Sequence, residues 1–184
     1  MSIERPASCA CCHDLLHGAL SRRRFMQTAA AGGAATVLSP YLAFAAEGNY
    51  DAMVLSCIDP RFQKPVADYM AKRKLTGKYS HFVIAGASIG VVAEPFKDWQ
   101  KAFWDNLAAS IQLHRIKSVI AIDHRDCGAA KIAYGDAAVA NRDTETATHR
   151  TALAEFRKQC SEKQPTLKVE TMLMSLDGKV ETIA

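Results

Sequence analysis

The sequence predicts an α/β fold: one domain with a mostly parallel central sheet of four to five strands flanked by helices. Three observations predict it. Short apolar runs alternate with stretches of helical periodicity from residue 52 onward. The strand-like runs are apolar throughout, as in strands covered on both faces. The 184 residues, 49% hydrophobic and 23% charged, suit a single packed core.

The elements follow in order. Residues 52–58 (AMVLSCI) read as a buried strand stopped by Asp59-Pro60. Residues 66–74 read as a helix. Residues 81–85 (HFVIA) form a second strand, ended by Gly86 and Gly90. Over 97–114, Phe103, Leu107, Ile111 and His114 recur at helical spacing. Residues 118–123 (SVIAID) are a third strand, and 128–134 open another helix. Residues 146–164 form a longer helix that carries Leu153, Phe156 and Cys160 on one face and ends before Pro165. Residues 168–176 are a fourth strand, Asp177-Gly178 a turn, and 179–183 a short fifth. In a parallel sheet the carboxyl ends of the strands are where ligands bind. Two chemically loaded segments fall there, after the first and third strands.

The first 46 residues read as an address. Ser21-Arg22-Arg23-Arg24-Phe25-Met26 precedes a short Ala/Gly-rich apolar stretch and an Ala-x-Ala site near Ala45 and Ala46. The arginine pair resembles the twin-arginine signal, which exports proteins already folded. The expected location is the periplasm, with an uncleaved N-terminal membrane anchor as the alternative; the apolar stretch is shorter than the roughly 20 residues a span needs. The organisation is thus a signal over 1–46 and a domain over 47–184. Removal of the signal lowers the net charge from +4 to +2. No basic run with interleaved aromatics lies outside it, so no nucleic-acid partner is expected, and membrane contact only through the signal. Cys9, Cys11 and Cys12 leave with the signal; beside His13 they lack the paired spacing of a zinc knuckle.

Cys57, Cys127 and Cys160 remain. In an oxidising compartment one disulfide and a spare thiol is one reading. The other is that two thiolates hold a metal, loaded before export. Cys57-Ile58-Asp59-Pro60-Arg61 and His124-Arg125-Asp126-Cys127-Gly128 favour the second. Two thiolates and an imidazole suit tetrahedral zinc with one position open. The helix opening at Gly128 is expected to favour the Cys127 thiolate. By composition alone, His-x-x-Cys arises about 0.2 times, Cys-x-Asp-x-Arg about 0.02 times, and both together roughly 0.004 times.

Cys-x-Asp-x-Arg followed by His-x-x-Cys-Gly, each at a strand end, resembles the zinc signature of the β-class carbonic anhydrases. Ser175-Leu176-Asp177-Gly178-Lys179-Val180 is similar to that family's closing hairpin. The resemblance implies Zn2+ held by Cys57, His124 and Cys127, with Asp59 and Arg61 as the catalytic dyad. It also implies that Asp59 is a fourth ligand in a closed state only. The implied reaction is reversible hydration of CO2 to bicarbonate, in a homodimer or higher homo-oligomer. Three departures touch the pocket wall. Residues 84–88 read Ile-Ala-Gly-Ala-Ser where the family carries Arg-Asn before its Ala-Gly, Arg125 follows the zinc histidine in place of Ser or Thr, and Pro60 stands where Ser is common. They keep three alternatives open: hydrolysis of carbonyl sulfide or carbon disulfide, a zinc protein without turnover, and a Cys57–Cys127 disulfide serving redox chemistry. His81, His114 and His149 are the histidines available as a proton shuttle.

Overall fold

The computed structural model describes residues 49–181; the expected export signal and the last residues of the expected fifth strand lie outside them. Five strands form one sheet in the order β2-β1-β3-β4-β5. They are β1 (Ala52–Ser56), β2 (Tyr79–Val83), β3 (Ser118–His124), β4 (Lys168–Met174) and β5 (Val180–Glu181). The first four are parallel, and β5 returns antiparallel to β4. The expected fold class is the observed one.

The helices are α1 (Gln63–Lys72), α2 (Ser88–Val92), α3 (Lys97–His114), α4 (Gly128–Tyr134) and α5 (Arg142–Lys163). Single 3-10 turns span Glu94–Phe96 and Asp136–Val139. The bounds of α3 and α4 are those the sequence predicts. α5 starts a turn earlier than its apolar pattern, because Asn141 caps it. The Asn141 side chain accepts from the N–H groups of Asp143 and Thr144, while Thr144 reaches back to the Asn141 N–H. β2 begins and ends two residues earlier than its apolar run. Its ladder to β1 is followed by one bond from Ile84 N–H to the Ser56 carbonyl, after which the chain turns off at Gly86 (φ +79°). The turn is followed by α2, which propensity does not foretell, since Ser-Ile-Gly-Val-Val holds β-branched residues and a glycine. Burial decides the matter: Ile89 and Val91 are fully enclosed.

β1 is buried along its whole length and β3 along all but its first residue, which explains the apolar runs at 52–55 and 119–122. Phe62, Phe103 and Phe156 are completely buried, each stabilising the fold by about 1.5–3 kcal/mol. Phe103 meets both Phe82 and Phe156 at ring separations of 5.5 Å, which ties α3 to β2 and to α5. Cys160 lies in this core, fully buried, as its place on the apolar face of α5 implies. Trp99 stacks on Phe96 at 4.5 Å, and Trp104 meets the edge of Phe103. Among the described residues no helix is long and apolar enough to cross a membrane.

The strand order fixes where a site can form. From β1 the chain moves outward to β2, whereas from β3 it moves the other way, to β4. β1 and β3 are neighbours, so their carboxyl ends flank the point where the winding reverses. Right-handed crossovers leave a crevice there.

Candidate metal centre

The two motifs enter that crevice together. Ser56 pairs with Ile122 across the sheet, so Cys57 leaves β1 beside the end of β3, where His124 stands. Cys127 follows after a tight loop in which Asp126 takes a left-handed conformation (φ 57°), one that Asp tolerates better than most residues. The donor atoms of Cys57, His124 and Cys127 all lie within 4.8 Å of one another, and all three residues are buried. The three thiols of the described residues are free; Cys57 and Cys127 are brought together, and Cys160 is elsewhere.

The donor set fits a soft or borderline cation. His124 Nδ1–H donates to the Arg125 carbonyl at 2.8 Å. This fixes the ring and leaves Nε2, buried and without a protein partner, as the atom free to bind a metal. A buried imidazole nitrogen left orphaned is costly unless something binds it. Phe62 packs against the ring at 4.6 Å. Cys57 Sγ accepts from the Gly86 N–H at 3.2 Å. Its thiol is held below the ordinary cysteine value by the neighbouring Cys127 thiol, with burial opposing and His124 and the N–H groups of Gly86 and Asp59 adding to the effect. Cys127 is pushed up by its bond to the Cys57 sulfur and by burial. The sequence expected the helix end to favour the Cys127 thiolate. The Ala130 N–H pulls that way, while the neighbouring Cys57 sulfur and burial pull against it.

Asp59 and Arg61 flank this cluster. Arg61 grips Asp59 in a fork, with Nε 3.0 Å from Oδ1 and Nη2 2.6 Å from Oδ2. The hydrogen bonds from Arg61 bring the Asp59 carboxyl down to about 2, burial opposing. Arg61 Nη1 also donates to Asp126 at 2.7 Å, so one guanidinium links both motifs. Gln63 donates to the Cys57 and Asp59 carbonyls and pins the loop between them. Asp59 is held by Arg61 and is not one of the three clustered ligands.

A cavity of about 590 Å³ opens over Cys127, lined by Asp59, Arg61, Arg125, Lys131 and Glu145 among others. Arg125, which follows His124, is itself buried. It donates to Glu145 at 3.0 Å and to Glu181 at 2.6 Å, joining the ligand loop to α5 and to the closing hairpin. Asp126 N–H completes the junction on Glu145 at 2.6 Å. None of the candidate shuttle histidines lines this cavity. His114 bonds Ser80 and packs on Tyr50, which precedes β1. His81 bonds Ser56 from the edge strand at 2.7 Å. His149 is fully buried against Asp123.

Sequence reasoning missed the partners of the ligands: Gly86 through its N–H, and Ser88, Asp123 and His149 as a buried polar group. One signal was present. Asp123 is a charge at the end of an otherwise apolar strand, and a buried charge demands partners.

A family model described as "Putative carbonic anhydrase" matches residues 47–184. Two curated relatives, uncharacterized proteins of Rickettsia conorii and Rickettsia bellii, are each 35% identical over 131 residues. The match spans 71% of this chain and 70% and 80% of those proteins. Among solved structures, the Coccomyxa β-carbonic anhydrase in complex with acetazolamide is similar with a TM-score of 0.52 and 14% identity. It covers 95% of this chain and 87% of that one. The β-carbonic anhydrase CcaA is similar with a TM-score of 0.51 and 11% identity, over 86% and 91% of the two chains. These two likenesses concern the fold.

Proposed function

Because the chain belongs to that carbonic anhydrase family, we propose that it catalyses the reversible hydration of CO2 to bicarbonate with zinc held by Cys57, His124 and Cys127. The observation that carries the reading is the convergence of two thiols and an orphaned imidazole nitrogen at the reversal point of the sheet. Bound there, zinc supplies the Lewis acidity that makes hydroxide from water accessible near neutral pH.

The chain's own residues supply the rest. Asp59, kept ionised by Arg61, is a fixed hydrogen-bond acceptor at the cavity wall. It orients the attacking oxygen toward the CO2 carbon by accepting a hydrogen bond from that oxygen. Arg61 directs its donors to Asp59 and Asp126 and so holds the carboxylate away from the ligands. The fourth-ligand role of Asp59 requires this fork to open. Hydration of CO2 yields bicarbonate and one proton, and the cavity gives both a route outward.

The same reading includes export through the twin-arginine signal, supported by Arg22 and Arg23 ahead of the Ala/Gly stretch, and placement in the periplasm. It includes a homodimer or larger assembly. Ile58 in the first motif and Ile132 on α4 after the second, 58% and 72% exposed, offer apolar contact surface.

Hydrolysis of carbonyl sulfide or carbon disulfide is the second reading. The departure at 84–88, Ile-Ala-Gly-Ala-Ser where the family pattern has Arg-Asn, motivates it, whereas the cavity over Cys127 is lined by other residues. Comparing turnover separates the two: CO2 hydration without sulfide release is expected of the zinc-loaded chain. Sulfide release from carbonyl sulfide with no CO2 hydration would overturn the first reading in favour of the second.

A further inference from the structure

Asp123, the residue before the last of β3, has a side chain wholly shut off from solvent. A bare carboxylate there would be expensive. It is enclosed by donors instead. Ser88 N–H donates to Oδ1 at 3.0 Å, and Ser88 Oγ–H to Oδ2 at 2.7 Å. His149 Nδ1–H, from α5, donates to Oδ2 at 2.8 Å. The His149 ring is fully buried as well. None of these three residues enters the hydration chemistry above.

Ser88 is where this group meets the ligands. The residue before it, Ala87, has φ 49° and ψ −110°, a backbone conformation that a side chain disfavours. Strain of this kind persists only where the surroundings over-determine it. The two bonds from Ser88 to Asp123 anchor the chain directly after the strained residue. The residue before Ala87 is Gly86, whose N–H reaches the Cys57 sulfur. Packing closes the turn from the other side: a Cβ on Gly86 would lie 3.0 Å from Ala129 Cβ, and one on Gly90 only 2.5 Å from the Ala85 carbonyl oxygen.

We infer that Ser88, Asp123 and His149 are positioning residues for the Cys57 sulfur: they hold the strained turn at 86–87 so that the Gly86 N–H donates to it. The inference rests on the metal reading of the preceding section. An N–H bonded to a thiolate withdraws electron density from sulfur and weakens its donation to a metal. Two thiolates make a metal a poor Lewis acid, and this bond restores part of its acidity.

The test uses the full chain loaded with Co2+, read by the sulfur-to-cobalt charge-transfer absorption and by amide exchange at Gly86. Ser88→Ala, Asp123→Ala, Asp123→Asn and His149→Phe are compared with the unaltered protein. In Ser88→Ala and Asp123→Ala the band moves to lower energy. Gly86 exchanges at least about tenfold faster relative to Ile120, an amide of the central strand that reports general loosening. His149→Phe moves both in the same direction. Asp123→Asn keeps an acceptor for the Ser88 N–H and brings both back toward the unaltered values. An unmoved band with unmoved Gly86 protection in folded Ser88→Ala overturns the inference; because that variant loses only a hydroxyl, it decides the matter even if Asp123→Ala fails to fold. Absence of any sulfur band in the unaltered chain would overturn the metal reading itself, and the inference with it.

Discussion

Asp59 and Arg61 form the sharpest relationship at the scale of single residues. The carboxylate is only 15% exposed, yet it stays ionised because a guanidinium meets both of its oxygens. Arg61 itself is half exposed, so its value lies in geometry rather than in stability. Arg61→Ala leaves the three ligands in place and releases Asp59. Zinc content is expected to be retained, while kcat/KM for CO2 falls about 100-fold. Metal analysis and initial rates check this, and full activity without the arginine would remove the dyad from the account. The clustered donors Cys57, His124 and Cys127 were legible from the sequence, since a thiol two residues before Asp and four before Arg is a rare arrangement. The N–H of Gly86 was not, because a backbone donor has no residue-type signature.

The elements most open to reading were those whose burial matches their pattern. β1 and β3 are apolar because both faces are covered, and α3 shows its helical stripe because one side faces Phe82 and Phe156. The turn at 84–88 and α2 escaped. Ile84 and Ala85 extend the apolar run of β2, and only the backbone reversal at Gly86 takes them out of the sheet. Tertiary packing overrides weak local preference there. Arg125 is the other element-scale feature, a charge within the ligand loop that joins α5 to β5. Removing it takes the shared guanidinium from both carboxylates, leaving Glu145 with the Asp126 N–H and Glu181 with Arg142. Arg125→Ala is expected to lose about 3 kcal/mol of stability, read by chemical denaturation of the metal-free chain. A loss below about 0.5 kcal/mol, the scale of an ordinary surface change, would contradict that role.

For the molecule as a whole, strand order does more than any one contact. Placing β1 beside β3 with opposite onward directions brings together two motifs 67 residues apart, from Cys57 to His124. Away from the site, Arg73 joins the end of α1 to Glu170 on β4, with Nη1 2.9 Å from Oε2. Burial would raise the Glu170 carboxyl, but hydrogen bonds from Arg73 and Lys168 win and hold it below its ordinary value. Its contribution is therefore complete above the ordinary glutamate range and is lost as pH falls through the depressed folded value. Glu170→Gln should lower stability by about 1 kcal/mol near pH 7, with the difference vanishing in acid. Thermal unfolding across pH checks it, and a difference that grew on acidification would contradict the sign.

The central claim is that Cys57, His124 and Cys127 hold the zinc that hydrates CO2. Stopped-flow CO2 hydration by the zinc-loaded chain, with Cys127→Ala measured alongside, tests it most directly. The account predicts one zinc per chain with clear catalysis in the unaltered protein, and loss of both metal and catalysis in the variant. One tightly bound zinc with no hydration above that of free zinc would contradict it, leaving a metal site on this fold without the proposed reaction.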